Sequence, residues 1–386
     1  PIDPKFKDYV YAADPLVKIF KSPAGTKGTA NLFLGEWMKI IDPPLSAKGR
    51  VHVRYRGGEG YVEPEHVTRH RCLEIYFVDV HQGDGILIQT PEDRRILIDG
   101  GESEDVHEFV RNKYRLDKPG NEIDFDAVIA THSDADHTEG LLRLLADPKI
   151  AVKRFYHNGL FRRTDRDQDP GAQKGSRVVG LVDRPGIKSG LPMTPLMKRI
   201  LSAVDKAEKN LPKVIQKMQA NGRRVDVPGE GFICRRLDAA DRYVPPYDDP
   251  SKPLVIEVLW PRAELQDGAL SYPWYGTPGK TVNGNSLVLR VQHGQNRILL
   301  AGDLHAASMD DLVRAYPAGG GKPSSLEAHI YKAAHHGSQD FSVPFLKVVK
   351  PDGAVISSGD DRNDLHGHPR AVLLGTVTRH SRCDKP

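Results

Sequence analysis

Cysteine is scarce in these 386 residues. Cys72, Cys234 and Cys383 lie far apart and match no zinc-knuckle spacing, which excludes a disulfide framework and a cysteine-built metal site. Long apolar runs are missing as well. The longest strongly apolar, uncharged stretch, Ala371 to Val377, is far too short to cross a bilayer. No N-terminal segment joins a basic start to an apolar core in the manner of a cleavable signal. No membrane association is expected, and a reduced, cytoplasmic setting is. A phosphate-cradling glycine loop is also lacking, since Gly319-Gly320-Gly321-Lys322 has no P-loop spacing upstream and reads as a flexible linker. The chain opens at Pro1, as after loss of an initiator methionine. It stops after Arg382-Cys383-Asp384-Lys385-Pro386, as though a C-terminal piece were missing.

Net charge is small, +4, but uneven. From Arg162 to Lys252 there are 19 Lys/Arg against 12 Asp/Glu, a surplus of +7 that leaves −3 for the remainder. A basic insertion at about 162–252 in an otherwise acidic body suggests a polyanionic partner. A basic face kept for solubility is the alternative. Within it, Leu196, Met197, Ile200, Leu201 and Val204 share one face of an amphipathic helix, Pro212 kinks or restarts it, and Val214, Ile215 and Met218 continue the face. Such a helix can wall a groove or simply pack on the body. Arg223-Arg224 and Arg235-Arg236 are the candidate phosphate contacts.

What is abundant is ligand-type chemistry in one place. Thr131-His132-Ser133-Asp134-Ala135-Asp136-His137 packs two histidines and two aspartates into an H-x-D-x-D-H string. It lies between a strand-like Asp126-Ala127-Val128-Ile129-Ala130 and the start of a helix at Glu139 to Leu145. Burying so many ionisable groups together without a cation is very costly, so a divalent, binuclear metal site is the economical reading. A solvated acidic loop is the weaker one, given further ligand-type clusters downstream.

Residues 1–70 form a separate small β domain: short strands at Leu16–Phe20, Glu36–Ile41, Val51–Arg56 and Gly60–Val62, punctuated by Gly and Pro, predict a small barrel. Its strand order resembles bacterial SH3-like domains and implies a possible protein partner. Residues 71–386 open with a strand meander from Leu73 to Asp99 and continue as alternating strands and helices, the pattern of an α/β sandwich.

Seven motifs in order carry a further resemblance: V-D-V-x-Q-G-D, L-I-D-G-G, T-H-x-D-x-D-H, N-S-L-V-L-R, L-L-A-G-D, H-H-G-S and G-H-P. From about Leu73 to Thr378 the chain resembles the metallo-β-lactamase superfamily, and within it the ComEC-type branch, named for the nuclease-like domain of a DNA-uptake channel. The channel itself is absent, so transport is not implied. The resemblance implies an αββα sandwich holding two divalent ions, Zn²⁺ or Mn²⁺. His132 and Asp134 would ligate one ion, Asp136 and His137 the other, with Asp303 bridging and His336 completing the set. Asp99 and Asn285 would stand behind the ligands. His335 and His368 would face the substrate as catalytic groups, alongside Asp136. The histidine that the superfamily usually has before its "G-S" strand is missing from Thr281 to Ser286, which leaves the first ion short of ligands; His157 is a poor substitute by chain position.

The chemistry so implied is attack by a metal-bridged hydroxide on a phosphodiester. A nuclease acting on DNA or RNA is the leading expectation. A phosphodiesterase or phosphatase for a small nucleotide or phosphocholine-type ester is the second, and a partner-binding module with a vestigial metal site the third.

Overall fold

The computed structural model describes residues 8–42, 49–164, 169–183, 193–317, 324–359 and 366–382; Cys383 and the Gly319–Lys322 linker lie outside them. The chain divides into two compact units: residues as far as Glu74 with Gln89–Arg94, and Ile75–Ile88 with Arg95 onward.

The first unit is all β. Its strands are β1 (Tyr9–Ala12), β2 (Leu16–Phe20), β3 (Gly28–Phe33), β4 (Trp37–Asp42), β5 (Val51–Tyr55), β6 (Gly58–Val62) and β7 (Val67–Thr68). Alternation does the sorting: Val51, Val53 and Tyr55 point inward while Arg54 faces water. They join Val10, Val17, Ile19, Leu32, Met38 and Val62 in one core. The expected closed barrel is not formed by strand pairing. The strands make one sheet in the order β3-β2-β6-β5-β4-β1-β7, and no pairing joins its end strands among the described residues. The last strand, β7, has two residues and pairs with β1.

The second unit is an α/β sandwich. Its first half begins with β8 (Glu74–Phe77), β9 (Ile86–Gln89), β10 (Arg95–Ile98) and α1 (Asp105–Lys113). Next come β11 (Ile123–Phe125), β12 (Ala127–Ala130), α2 (Ala135–Thr138), α3 (Leu141–Ala146), β13 (Ile150–Val152) and β14 (Arg154–His157). After β15 (Ala172–Lys174) and β16 (Arg177–Val179) follow the 26-residue α4 (Pro195–Ala220) and β17 (Ile233–Arg236). The six-stranded sheet runs β17-β14-β12-β10-β9-β8, with parallel pairing from β10 through β12 and β14 to β17. Strands β10 and β12 are buried on both faces, as parallel strands covered by helices are, and β9 beside them is buried throughout.

The second half contains β18 (Leu254–Trp260), β19 (Glu264–Gln266), β20 (Ala269–Pro273), α5 (Pro278–Gly284), β21 (Val288–His293) and β22 (Asn296–Leu300). It closes with α6 (Ala306–Ala315), β23 (Ile330–Lys332), α7 (Val343–Val349), β24 (Gly353–Val355) and α8 (Ala371–His380). Its five-stranded sheet runs β18-β21-β22-β23-β24 and is packed by Met309, Leu312, Phe345, Leu346 and Leu373 from the helices.

Most of the basic segment is built into this frame rather than added to it. Met197, Ile200, Leu201, Val204, Ala207, Leu211, Val214, Ile215 and Met218 of α4 sit in the same core as Leu144, Leu145 and Val152. The helix packs on α3 and β13, and β17 is the edge strand of the six-stranded sheet. Pro212 neither ends nor restarts it. Among the described residues no helix is long and apolar enough to cross a membrane.

Candidate metal centre

The site lies where strands of both halves end. After β12, residues Thr131–Asp134 turn directly into α2, so Asp136 and His137 sit on its first turn. The Asp134 carbonyl accepts from the N–H of His137 (3.2 Å) and Thr138 (3.1 Å), which fixes that turn. The loop before β9 closes over it. Gly83 has φ +114°, and a Cβ there would stand 1.9 Å from the Asp136 carbonyl oxygen, so only glycine fits. From the other half come Asp303, just beyond β22, and His335-His336, just beyond β23. Both histidines are left-handed, φ +49° and +52°, a conformation that costs about 1–3 kcal/mol per non-glycine residue and is held here by surrounding bonds. His335 N–H donates to Gly302 O (3.1 Å) and Ser338 N–H donates back to His335 O (2.8 Å).

Four side chains converge, with ligand atoms all within 4.8 Å of one another: Asp136, His137, Asp303 and His336. Asp303 offers Oδ1 to His137 Nε2 and Oδ2 to His336 Nε2, each at 3.2 Å. His336 Nε2 is 3.3 Å from Asp136 Oδ2 and 3.3 Å from His137 Nε2. The other ring nitrogens are committed. His137 Nδ1 meets Asp99 Oδ2 at 2.8 Å, and His336 Nδ1 meets the Ser357 carbonyl at 3.1 Å. Those partners only accept, so the protons lie on Nδ1 and both Nε2 lone pairs face the cluster. Two Nε2 atoms and two carboxylates converging on one point fit a divalent cation. A further buried atom at this spot, His132 Nε2, has no hydrogen-bond partner.

The field calls for positive charge at this spot, which protons on the two rings supply when no cation is bound. Burial opposes a charged His137, yet Asp303, Asp99 and Asp136 raise it well above its ordinary value. His336 is raised likewise, against burial, by Asp303, Asp136 and Asp84. Against its own burial, Asp303 is held well below the carboxylate range by His336 and His137. His132 differs: burial, then repulsion from His137, lowers it and keeps it a neutral donor of a lone pair.

A second cluster, Asp84, Asp99 and His137, adjoins the first through the His137 ring. Two Asp/His clusters are thus present and match a two-metal centre. Asp99 stands behind His137 and also accepts from Thr131 N–H and Oγ1–H, both at 2.7 Å. Asp84 pairs with the ammonium of Lys332, a fully buried lysine on β23. Neither Asp84 nor Lys332 was marked as a site residue by sequence; the available signal was a lysine inside the apolar run Ile330-Tyr331-Lys332-Ala333-Ala334.

The remaining expected residues are spread more widely. His132 is buried beside His137, ring centroids 4.1 Å apart. Asp134 is not among the four converging ligands; its Oδ1 meets Arg162. Asn285 is a loop tie: its Nδ2 donates to Pro273 O (2.9 Å) and Thr281 O (2.8 Å), and its backbone carbonyl accepts from Asn158 Nδ2 (2.9 Å). His335 is part-exposed, 4.0 Å from Asp303 Oδ2, and His368 is 6.0 Å from it between ring centroids. His157 is not at the cluster; its Nδ1 accepts from Gly159 N–H and its ring packs on Phe161. The four arginines do not make one open patch. Arg223 donates to Glu122 O, Arg235 pairs with Asp241 (2.6 Å), and Arg236, 11% exposed, is held by Asp183, Asp238 and Tyr272. Arg224 is exposed.

A family model described as the metallo-beta-lactamase superfamily matches residues 78–360. The chain belongs to that superfamily. With two metal-ligating clusters at its centre, this member is a metal-dependent hydrolase. ComE operon protein 3 of Bacillus subtilis (strain 168) is 24% identical over 322 residues, 80% of this chain and 31% of that protein. Competence protein ComA of Neisseria gonorrhoeae is 36% identical over 99 residues, 25% of this chain and 13% of its own length. The chain therefore spans about a third or less of these relatives. Among solved structures, Zn(2+)-bound PqqB from Methylobacterium extorquens is 11% identical, with a TM-score of 0.34 over 77% of this chain and 82% of that one. A metallo-beta-lactamase from Cronobacter sakazakii, a HARLDQ motif mutant, is 14% identical, with a TM-score of 0.31 over 68% and 77%.

Proposed function

We propose that this superfamily member is a phosphodiesterase of the ComEC-type branch that cleaves nucleic acid. The observation that carries the reading is the outer face of α4. Lys198, Lys206, Lys209, Lys213 and Lys217 recur at helical spacing along it, all exposed and none paired with a carboxylate among the described residues. At 1.5 Å per residue the stripe is about 28 Å long, the reach of about eight phosphates on one strand of duplex DNA. Its first turn lies beside the metal loop, because Arg199 pairs with Glu139 (2.8 Å), the residue that follows α2. A polyanion lying along the stripe is thereby led toward the cluster. The relatives named above, one of them a competence protein, support the same branch.

Asp136, His137, Asp303 and His336 would hold one ion and His132 with Asp134 would face the other. Bound divalent ions supply Lewis acidity and a nucleophile at neutral pH. The chain's own residues then position the ester. His335, part-exposed at the rim, can bind a non-bridging oxygen or hand a proton to the leaving oxygen, with His368 beside it. The first unit, which resembles an SH3-like domain, exposes Leu16, Phe33, Leu34 and Trp37, a surface suited to a protein partner.

The test is a substrate panel of plasmid, single-stranded oligonucleotide, RNA and bis-p-nitrophenyl phosphate with Mn²⁺ or Zn²⁺. Cleavage of a nucleic acid is expected. In a Lys206/Lys209/Lys213/Lys217→Gln variant, the salt dependence of oligonucleotide affinity should shrink by up to about 3 to 4 logarithmic units per decade of salt. Turnover of the small diester should be retained. Turnover of the small diester alone, with identical salt slopes, would favour the small-ester reading.

A further inference from the structure

Asp134 is already occupied. Arg162 places Nε and Nη2 on its Oδ1 at 2.9 and 2.8 Å. With its amide turned to satisfy both of its atoms, Asn283 donates to Asp134 Oδ2 at 3.1 Å and to Gly279 O at 3.1 Å. Both carboxylate oxygens therefore hold donors, and one donor is a guanidinium. The neighbouring His132 Nε2 is buried and has no partner. The half-site built on His132 and Asp134 thus has one donor atom ready and one claimed by a cation of the protein's own. No Lys or Arg pairs with Asp136 or Asp303 among the described residues, and the one buried ammonium nearby is spent on Asp84.

We propose that Arg162 is a gate on the metal centre: a resident counter-cation on Asp134 that makes binding of the second divalent ion weak and conditional on its own departure. The inference rests on the two-metal phosphodiesterase reading and names how that same site is loaded. A divalent ion and a guanidinium competing for one carboxylate repel each other, so ion entry and release of the arginine are linked. The backbone need not move for this. Arg162 O accepts from Thr194 N–H (3.2 Å), and Arg163 bridges to Met193. The side chain, part-exposed, can leave Asp134 while its backbone stays anchored. The first ion, at Asp136, His137, Asp303 and His336, meets no such competitor.

Titration calorimetry of the full metal-stripped chain with Mn²⁺ alone tests this, with Mn²⁺ paramagnetic resonance to separate isolated from paired ions. The wild type should show one tight and one weak class. In Arg162→Gln the weak class should tighten about tenfold, the order of one charge-assisted hydrogen bond removed from the competition. The tight class should not change. Arg162→Lys, which keeps the charge without the fork, should fall between, and carries the same test if Arg162→Gln does not fold. Asp134→Asn should abolish the weak class. Two equal classes in the wild type, a weak class indifferent to Arg162→Gln, or equal shifts of both classes would overturn the gate. No substrate enters these measurements, so failure here leaves the nuclease reading standing, and absence of nuclease activity leaves the gate standing.

Discussion

At the scale of single residues, the metal cluster is a balance of lone pairs that no one member can leave without cost. Asp136→Ala or His137→Ala removes a ligand atom but no core strand contact. Hydrolysis should fall by more than the roughly 10–100-fold typical of losing an outer partner, while the circular dichroism spectrum stays native. Asp303→Asn keeps the size but gives up the charge that faces both histidines, so metal content by elemental analysis and activity should drop together. His157 offers a pH signature away from the metals. Burial, then the charge of Arg236, lowers it to about 3, so the native state refuses a proton that the unfolded chain takes near 6.5. Stability should therefore fall as pH drops from about 6.5 toward 3, by at most about 1.4 kcal/mol per unit from this residue, and feel nothing from it above that window. Thermal melts of His157→Gln, which can still accept from Gly159, should show a shallower slope over that range.

At the scale of elements, α4 shows how packing overrides propensity. A proline in a helix interior removes a backbone bond and clashes with the preceding turn, yet the helix runs unbroken from Pro195 to Ala220 through Pro212. Ten buried side chains along one face hold it against α3 and the paired strands β11 and β13. Pro212→Ala should accordingly stabilise the protein, by up to about 3 kcal/mol if the proline's full helix penalty is relieved. Urea denaturation of the two proteins measures it; an unchanged midpoint would mean that the local backbone has already relaxed around the proline. The apolar periodicity made the helix legible in sequence, but not its place. A pattern with one apolar face says that a helix packs, and is silent on whether it packs as an appendage or as a layer.

At the scale of the second unit, Lys332 and Asp84 join its two halves. The lysine stands on β23 of one sheet and the aspartate in the loop before β9 of the other, both buried. Burial alone would raise Asp84, and Lys332 is the main influence that lowers it instead. Lys332→Met leaves a buried carboxylate uncompensated and should cost about 3–5 kcal/mol in denaturant unfolding. The double variant Lys332→Met/Asp84→Asn should recover most of that loss. Equal instability of the single and double variants would mean that the aliphatic stem of Lys332, rather than its charge, holds the halves together.

Much of the centre was readable along the chain because its ligands come in short strings at the ends of strands. In H-x-D-x-D-H the spacing puts donors on one tight turn, while Asp303 and His336 followed from the family resemblance. The α/β sandwich was readable for a similar reason, since buried strands and amphipathic helices announce themselves by period and by their order; its αββα arrangement came with the family resemblance. What only the tertiary structure decided are the pairings between distant segments. Arg162 on Asp134, Lys332 on Asp84, and Asp183 and Asp238 on Arg236 join partners that no short spacing links, except for the last. A charged residue in sequence shows its charge but not its counter-charge. That is why the four arginines read as phosphate contacts, while folding commits three of them to oxygens of the protein itself.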